Sequence, residues 1–143
     1  MEEKFDLMKS YIDSMHDQIV NHVEIMDNDL IFHYDTLEYS NVQNEDYYNN
    51  HCKFCRCDLI FKNIDVPYVE IKAKNKLRTS IRIYYIDEFL DFIKRKNLMI
   101  QTLYFYIGYG AVYIDAMLVS KKNKVVNNCY IVIPATEVSY EWK

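Results

Sequence analysis

The chain has 143 residues, of which 50% are apolar and 27% charged, a profile that fits one globular domain over residues 1–143 and excludes a disordered chain. The net charge of −4 conceals an asymmetry. Residues 1–50 carry twelve acidic and two basic side chains, whereas residues 51–143 carry nine acidic and fifteen basic ones. Such a distribution bears on partners and association rates rather than on the fold.

No segment has the features of a signal peptide or a membrane span. The acidic N-terminus lacks the basic and apolar regions of a signal peptide. The most apolar stretch, residues 98–119, is interrupted by polar residues and glycines, and a span needs ~18 uninterrupted apolar residues. Four cysteines without an export signal are typical of reduced thiols. The sequence therefore predicts a cytoplasmic protein that does not enter a membrane.

The first predicted element is an amphipathic helix over residues 3–15, because Phe5, Met8, Ile12 and Met15 recur at three- and four-residue spacing. Two extended runs follow, residues 18–26 and 30–34, around a short Asp/Asn cluster, and this pattern is typical of a β-hairpin. Residues 35–50 are polar and acidic without periodicity, so we expect a long loop there.

The middle of the chain predicts strands at residues 51–61, 68–73 and 77–84, followed by a helix over residues 86–96. Acidic residues begin this helix, basic residues end it, and Asn97 follows as a C′ residue. We expect its apolar stripe to be buried against a sheet: Phe89, Leu90 and Ile93.

Three further strands are predicted at residues 99–107, 111–119 and 127–133. With them the fold is α+β, a mainly antiparallel β-sheet with the N-terminal helix and the central helix packed on it. Alternation places three residues of the first strand on one face (Thr102, Tyr104 and Tyr106) and three of the second strand on one face (Tyr113, Asp115 and Met117). Such a Tyr/Met surface is either covered by a helix or used as a protein interface.

The cysteine cluster Cys52-x2-Cys55-x-Cys57 has the spacing of a zinc half-site. No second such pair exists in the sequence, and strand alternation points Cys52 away from Cys55 and Cys57. We therefore predict reduced thiols, no metal and no cofactor. His22 and His33 fall in opposite arms of the hairpin, and no nucleophile elbow, phosphate loop or HExxH motif occurs, so a non-enzymatic protein is expected.

A helix, Met15-His16-Asp17, an alternating strand, an Asp-Asn-Asp turn and a Leu-Ile-Phe-His-Tyr strand succeed one another, and Val-Ser-Tyr-Glu-Trp closes the chain at residues 138–142. This order resembles small uncharacterised bacterial proteins that are grouped with immunity proteins of toxin–immunity systems. The resemblance covers the first 35 and the last ten residues and transfers no active-site residue. It implies a protein that acts by binding another protein.

The acidic first third predicts where such a partner binds, because a carboxylate cluster complements a cationic cleft such as that of a basic toxin domain. We expect four carboxylates and three tyrosine anchors to make the contact: Asp35, Glu38, Tyr39, Glu45, Asp46, Tyr47 and Tyr48. The alternative is a nucleic-acid- or ligand-binding module that uses the basic C-terminal two-thirds, although a pI near 5.5 argues against a nucleic-acid partner. The sequence is also compatible with a homodimer.

Overall fold

The computed structural model describes residues 15–38, 54–74, 78–108, 110–122 and 124–142. These residues form ten strands and one helix, arranged as two antiparallel sheets with the helix packed against the six-stranded sheet. The elements in chain order are β1 (Gln18–Val20), β2 (His22–Met26), β3 (Asp29–Glu38), β4 (Phe54–Lys62), β5 (Tyr68–Lys74), β6 (Thr79–Tyr85), α1 (Ile86–Lys96), β7 (Leu98–Gly108), β8 (Ala111–Ser120), β9 (Val125–Pro134) and β10 (Glu137–Trp142).

The six-stranded sheet has the order β1-β7-β8-β9-β5-β6, and the four-stranded sheet has the order β10-β4-β3-β2. Their inner faces supply the core, as alternation along a half-buried strand requires. Buried residues come from both sheets, among them Phe32, Leu59 and Phe61 of the smaller one and Val69, Ile114 and Ile131 of the larger one. The prediction of a mainly antiparallel structure is confirmed, and the strands divide between two sheets.

The chain passes from one sheet to the other at Asn21. β1 pairs with β7 in the six-stranded sheet, whereas β2 pairs with β3 in the four-stranded sheet. The Asn21 amide donates to the carbonyl of His33 over 2.8 Å, and its side-chain oxygen accepts from the amide of Asp35 over 2.7 Å. The predicted run 18–26 is therefore two strands, although the predicted hairpin around residues 27–28 is confirmed.

A β-bulge between Thr102 and Tyr104 changes the phase of β7. Ile100 and Thr102 point into the core, with exposed fractions of 1% and 0%, while Tyr104 is 55% exposed. The prediction that Thr102 shares a face with Tyr104 is therefore wrong, because simple alternation does not include the extra residue. The buried Thr102 hydroxyl donates to the carbonyl of Met15 over 2.7 Å and accepts from the Tyr34 hydroxyl over 3.3 Å.

The central helix is confirmed with the bounds that its sequence predicts. Ile86 and Phe89 are buried, Leu90 and Ile93 are half-buried, and the Phe92 ring packs 5.3 Å from that of Tyr84. Asn97 ends the helix in the left-handed region at φ 57°, as a C′ residue does. No helix in the described part of the chain is long and apolar enough to cross a membrane.

Other predictions are modified or fall outside the described residues. The N-terminal helix at residues 3–15 lies outside them except for Met15, which begins a turn. β3 continues to Glu38, four residues into the predicted loop, because residues 37–38 pair with β4 beyond a bulge. β10, which was not predicted, pairs with β4. Cys57 and Cys129 are buried, and Cys52 lies outside the described residues.

Replacing Thr102 with Val keeps the shape of the side chain and removes its hydroxyl. We expect a loss of about 1–3 kcal/mol in the free energy of unfolding, because the Met15 carbonyl and the Tyr34 hydroxyl lose their buried partner. Urea unfolding measures the loss. Tyr34→Phe is the matched control and should cost less, since the bond to Met15 remains. A Thr102→Val protein as stable as the wild type would contradict this role.

Candidate functional site

The outer face of the six-stranded sheet carries a continuous aromatic surface. The registers align one residue from each of five neighbouring strands in a row across the sheet, four of them tyrosines: Tyr85, Tyr68, Val132, Tyr113 and Tyr106. We call this set and the row beside it the tyrosine face. Tyr85 and Tyr106 are 60% and 52% exposed, so the face is open to a partner at these positions.

The second row of the tyrosine face places two carboxylates between tyrosines. Its members are aligned by the same registers: Ile83, Glu70, Tyr130, Asp115 and Tyr104. Asp115 and Glu70 flank Tyr130 on either side, and both are half-buried. An aromatic surface with carboxylates at its centre has the chemistry that recognises a cation.

A pocket of about 430 Å³ lies along this second row. Tyr104, Tyr130, Asp115 and Glu70 line it together with Lys72 and Asn128. Desolvation and, after it, the charge of Asp115 raise the pKa of the Tyr106 and Tyr130 phenols. Both hydroxyls therefore stay protonated at neutral pH, and that of Tyr106 is hydrogen-bonded to Asp115.

Ring packing fixes the tyrosines in place. The rings of Tyr113 and Tyr130 stack with centroids 6.1 Å apart, and the ring of His16 lies 4.9 Å from that of Tyr104. His16 is held in turn by a 2.7 Å hydrogen bond between its Nδ1 and the carbonyl of Leu103. A Cβ at Gly108 would lie 2.9 Å from Cε2 of Tyr113, so glycine provides the space that this ring occupies.

Two of the seven residues predicted to bind a partner lie within the described part of the chain. Asp35 is exposed on β3, in the four-stranded sheet, on the side of the protein away from the tyrosine face. Glu38 ends β3. The other five, Tyr39, Glu45, Asp46, Tyr47 and Tyr48, lie outside the described residues.

The Tyr/Met alternation in the C-terminal strands was the sequence signal for the tyrosine face, but the contributions of β5 and β6 were missed.

A second polar cluster occupies the outer face of the four-stranded sheet. His33 contacts Asp58 through Nδ1 at 2.6 Å and Glu24 through Nε2 at 2.9 Å, and the His22 ring stacks on it at 5.5 Å. Burial lowers the pKa of His33, but the two carboxylates outweigh this and raise it overall. Because both ring nitrogens are occupied, neither is free to accept a proton from a substrate. Among the described residues, no three such side chains are placed to hold a metal ion.

Basic side chains gather at one end of the six-stranded sheet. The end of α1, the end of β8 and the start of β6 all lie there, since Leu98 pairs with Ser120 and Lys74 pairs with Thr79. The residues concerned are Lys72, Arg78, Lys94, Arg95, Lys96, Lys121, Lys122 and Lys124. In the sequence these bases lie in separate turns and at the end of a helix. The strand order brings these segments to the same end of the sheet.

Comparison of the chain with protein-family models, with curated proteins and with solved structures finds no match. The geometry of the described residues is therefore the basis for the functional argument.

The His33 cluster predicts a pH-dependent contribution to stability. A histidine whose pKa is raised in the folded state stabilises the fold below its unfolded pKa of about 6.5, and this stabilisation is lost as the pH rises through the folded pKa. Unfolding measured against pH from 5.5 to 8.5, a range of about three units around this pKa, should show that loss in the wild type. His33→Gln should remove it, while His22→Gln, which leaves both carboxylate contacts, should keep it. An unchanged pH slope in His33→Gln would refute the assignment.

Proposed function

We propose that this protein is a non-enzymatic protein-binding module that takes a cationic segment of its partner on the tyrosine face. The observation that carries the proposal is the second row, in which Asp115 and Glu70 alternate with Tyr104 and Tyr130 across neighbouring strands. A basic toxin domain, the partner implied by the resemblance to immunity proteins, belongs to this class of partner.

The chemistry of the row favours an arginine or lysine side chain. Tyrosine rings attract a cation over their faces, and a half-buried carboxylate adds charge-assisted hydrogen bonds. Tyrosine also supplies a large contact area at low cost in side-chain entropy, which is why interfaces are rich in it. Lys72 is the one base among the charged residues of the pocket, and Asp115 and Glu70 outnumber it.

The acidic first third of the chain has no part in this docking site. Asp35 cannot contact the segment bound on the tyrosine face, because the two lie on opposite sides of the protein. Steering by charges outside an interface reaches only about one Debye length, ~8 Å in physiological salt, so Asp35 does not steer a partner to the opposite side either. We therefore assign docking to the tyrosine face, and contact of the acidic segment with a basic partner stays a separate prediction.

Selection from a random peptide display library against the immobilised protein tests the proposal without a known partner. We expect the selected peptides to be enriched in arginine or lysine next to apolar residues. Asp115→Asn should abolish the enrichment in bases, because it removes one carboxylate and leaves the shape of the row unchanged. Binding of the selected peptides is then measured by titration against both proteins.

Asp91→Asn serves as the matched control. Asp91 is an exposed aspartate of α1, and this helix packs on the face of the six-stranded sheet opposite the tyrosine face. It should select the same peptides as the wild type. We expect Asp115→Asn to weaken a selected peptide by about 1.5–3 kcal/mol, the usual value of a hydrogen bond to a charged group. Selection of acidic peptides, or an equal loss in both variants, would exclude a cation site.

The basic end of the six-stranded sheet supports a second candidate function, the binding of a nucleic acid. Eight bases on β5, directly before β6, on α1 and in the β8–β9 turn converge there, and phosphate contacts of this kind dominate non-specific affinity. The tyrosine face itself does not suit this ligand, because its central carboxylates repel phosphates.

Fluorescence anisotropy with labelled oligo(dT) measures this activity. Lys121→Glu should weaken binding and lower the slope of log K against log salt by roughly 0.7, the value for one phosphate contact on a single strand. Arg56→Glu makes the same charge change at an exposed site of β4 and should have a smaller effect. Equal effects of the two variants would show that only net charge matters and would exclude a site at the basic end.

A further inference from the structure

β6 is an edge strand of the six-stranded sheet that lacks the usual protection of such strands. It pairs with β5 along all seven of its residues without a bulge, and no described strand pairs with its other edge. Six of the seven residues are exposed, and Ile81 and Ile83 are 58% and 61% exposed. An edge of this kind presents unpaired main-chain groups to another strand, and natural proteins normally blunt it with bulges, prolines or outward charges.

The other edges of the two sheets are shorter or charged. β1, at the opposite edge of the same sheet, has three residues. β2 carries Glu24, and β10 carries Glu137 and Glu141. A head-to-tail chain of copies, in which β6 pairs with β1 of the next copy, would therefore gain few hydrogen bonds. Pairing of β6 with itself closes the assembly at two copies.

We propose that two copies of this chain pair through β6, antiparallel, with Ile83 opposite Ile83 of the partner subunit. Residues whose numbers sum to 166 then face each other, so Ile81 lies opposite the partner's Tyr85. The outer face of this pairing is apolar throughout, which stabilises cross-strand contacts. The result is one continuous sheet of twelve strands.

This register also gives Arg82, the one charged residue of β6, a favourable neighbour in the partner subunit. The Arg82 guanidinium lies 5.7 Å from the ring centroid of Tyr84 in the same strand. In the register centred on Ile83, Arg82 faces the partner's Tyr84 and meets a second aromatic ring. A register centred on Arg82 would instead oppose two arginines directly, which is destabilising.

Sedimentation of the full chain over a wide concentration range tests the dimer. A contact limited to one strand pair is small, so we expect a dimer that dissociates on dilution. Ile83→Lys should leave a monomer at all concentrations, because it places two charges opposite each other. Met26→Lys is the control: Met26 is 51% exposed on β2, an edge strand of the other sheet, and its change should leave the dimer intact.

A disulfide tests the register independently of the apolar contact. Under oxidation, Ile83→Cys should yield more covalent dimer than Ile81→Cys, because residue 83 faces itself across the two-fold axis, whereas residue 81 faces the partner's Tyr85. Thermal unfolding of each variant establishes that the monomer is folded.

Every outcome decides the proposal. A monomeric wild type, a dimer that survives Ile83→Lys, or a dimer lost equally in Met26→Lys would each overturn it. Equal cross-linking of Ile81→Cys and Ile83→Cys would overturn the register. The measurement uses no partner and leaves Asp115 unchanged. Its result is therefore separate from that of the peptide selection.

Discussion

The bulge between Thr102 and Tyr104 is the constraint on which the rest of the structure depends. It lets one strand turn Thr102 into the core and Tyr104 outward, although simple alternation would give both the same side. Inside, the Thr102 hydroxyl joins the Met15 carbonyl to Tyr34 of the opposite sheet. Outside, the same phase change sets Tyr104 and Tyr106 in line with the tyrosines of neighbouring strands. The bond between the sheets and the candidate binding surface thus have one origin.

Local chemistry in the sequence was sufficient to predict α1 and the β2–β3 hairpin. The helix has acids at its start, bases at its end and Asn97 in the left-handed region after it, all between residues 87 and 97. The division into two sheets at Asn21 was beyond such reasoning, because it depends on hydrogen bonds to His33 and Asp35 that are made only after folding. β10 escaped prediction for the same reason, since its partner β4 lies far away in the chain.

The candidate site shows a similar limit. Alternation in β8 correctly placed Asp115 with Tyr113 on one face, but the second carboxylate, Glu70, reaches that face through the register of β5 with β9. Charge counted along the sequence indicated an acidic first third and a basic remainder. In the folded protein both carboxylates of the tyrosine face, Asp115 and Glu70, come from the basic remainder. Two carboxylates among aromatic rings determine the local potential more strongly than an excess of bases farther away.

A dimer formed through β6 would change what the tyrosine face can recognise. A two-fold axis perpendicular to the sheet keeps both tyrosine faces on the same side of one twelve-stranded sheet, and it sends the two basic ends in opposite directions. Two cationic segments of one partner would then each meet the acidic row of one subunit. Two linked rows bind a partner that carries two cationic segments more tightly than either row alone, through effective concentration and without a new contact. The edge of β6 and the row around Asp115, although separate in structure, would then determine together the affinity for a partner with repeated basic segments.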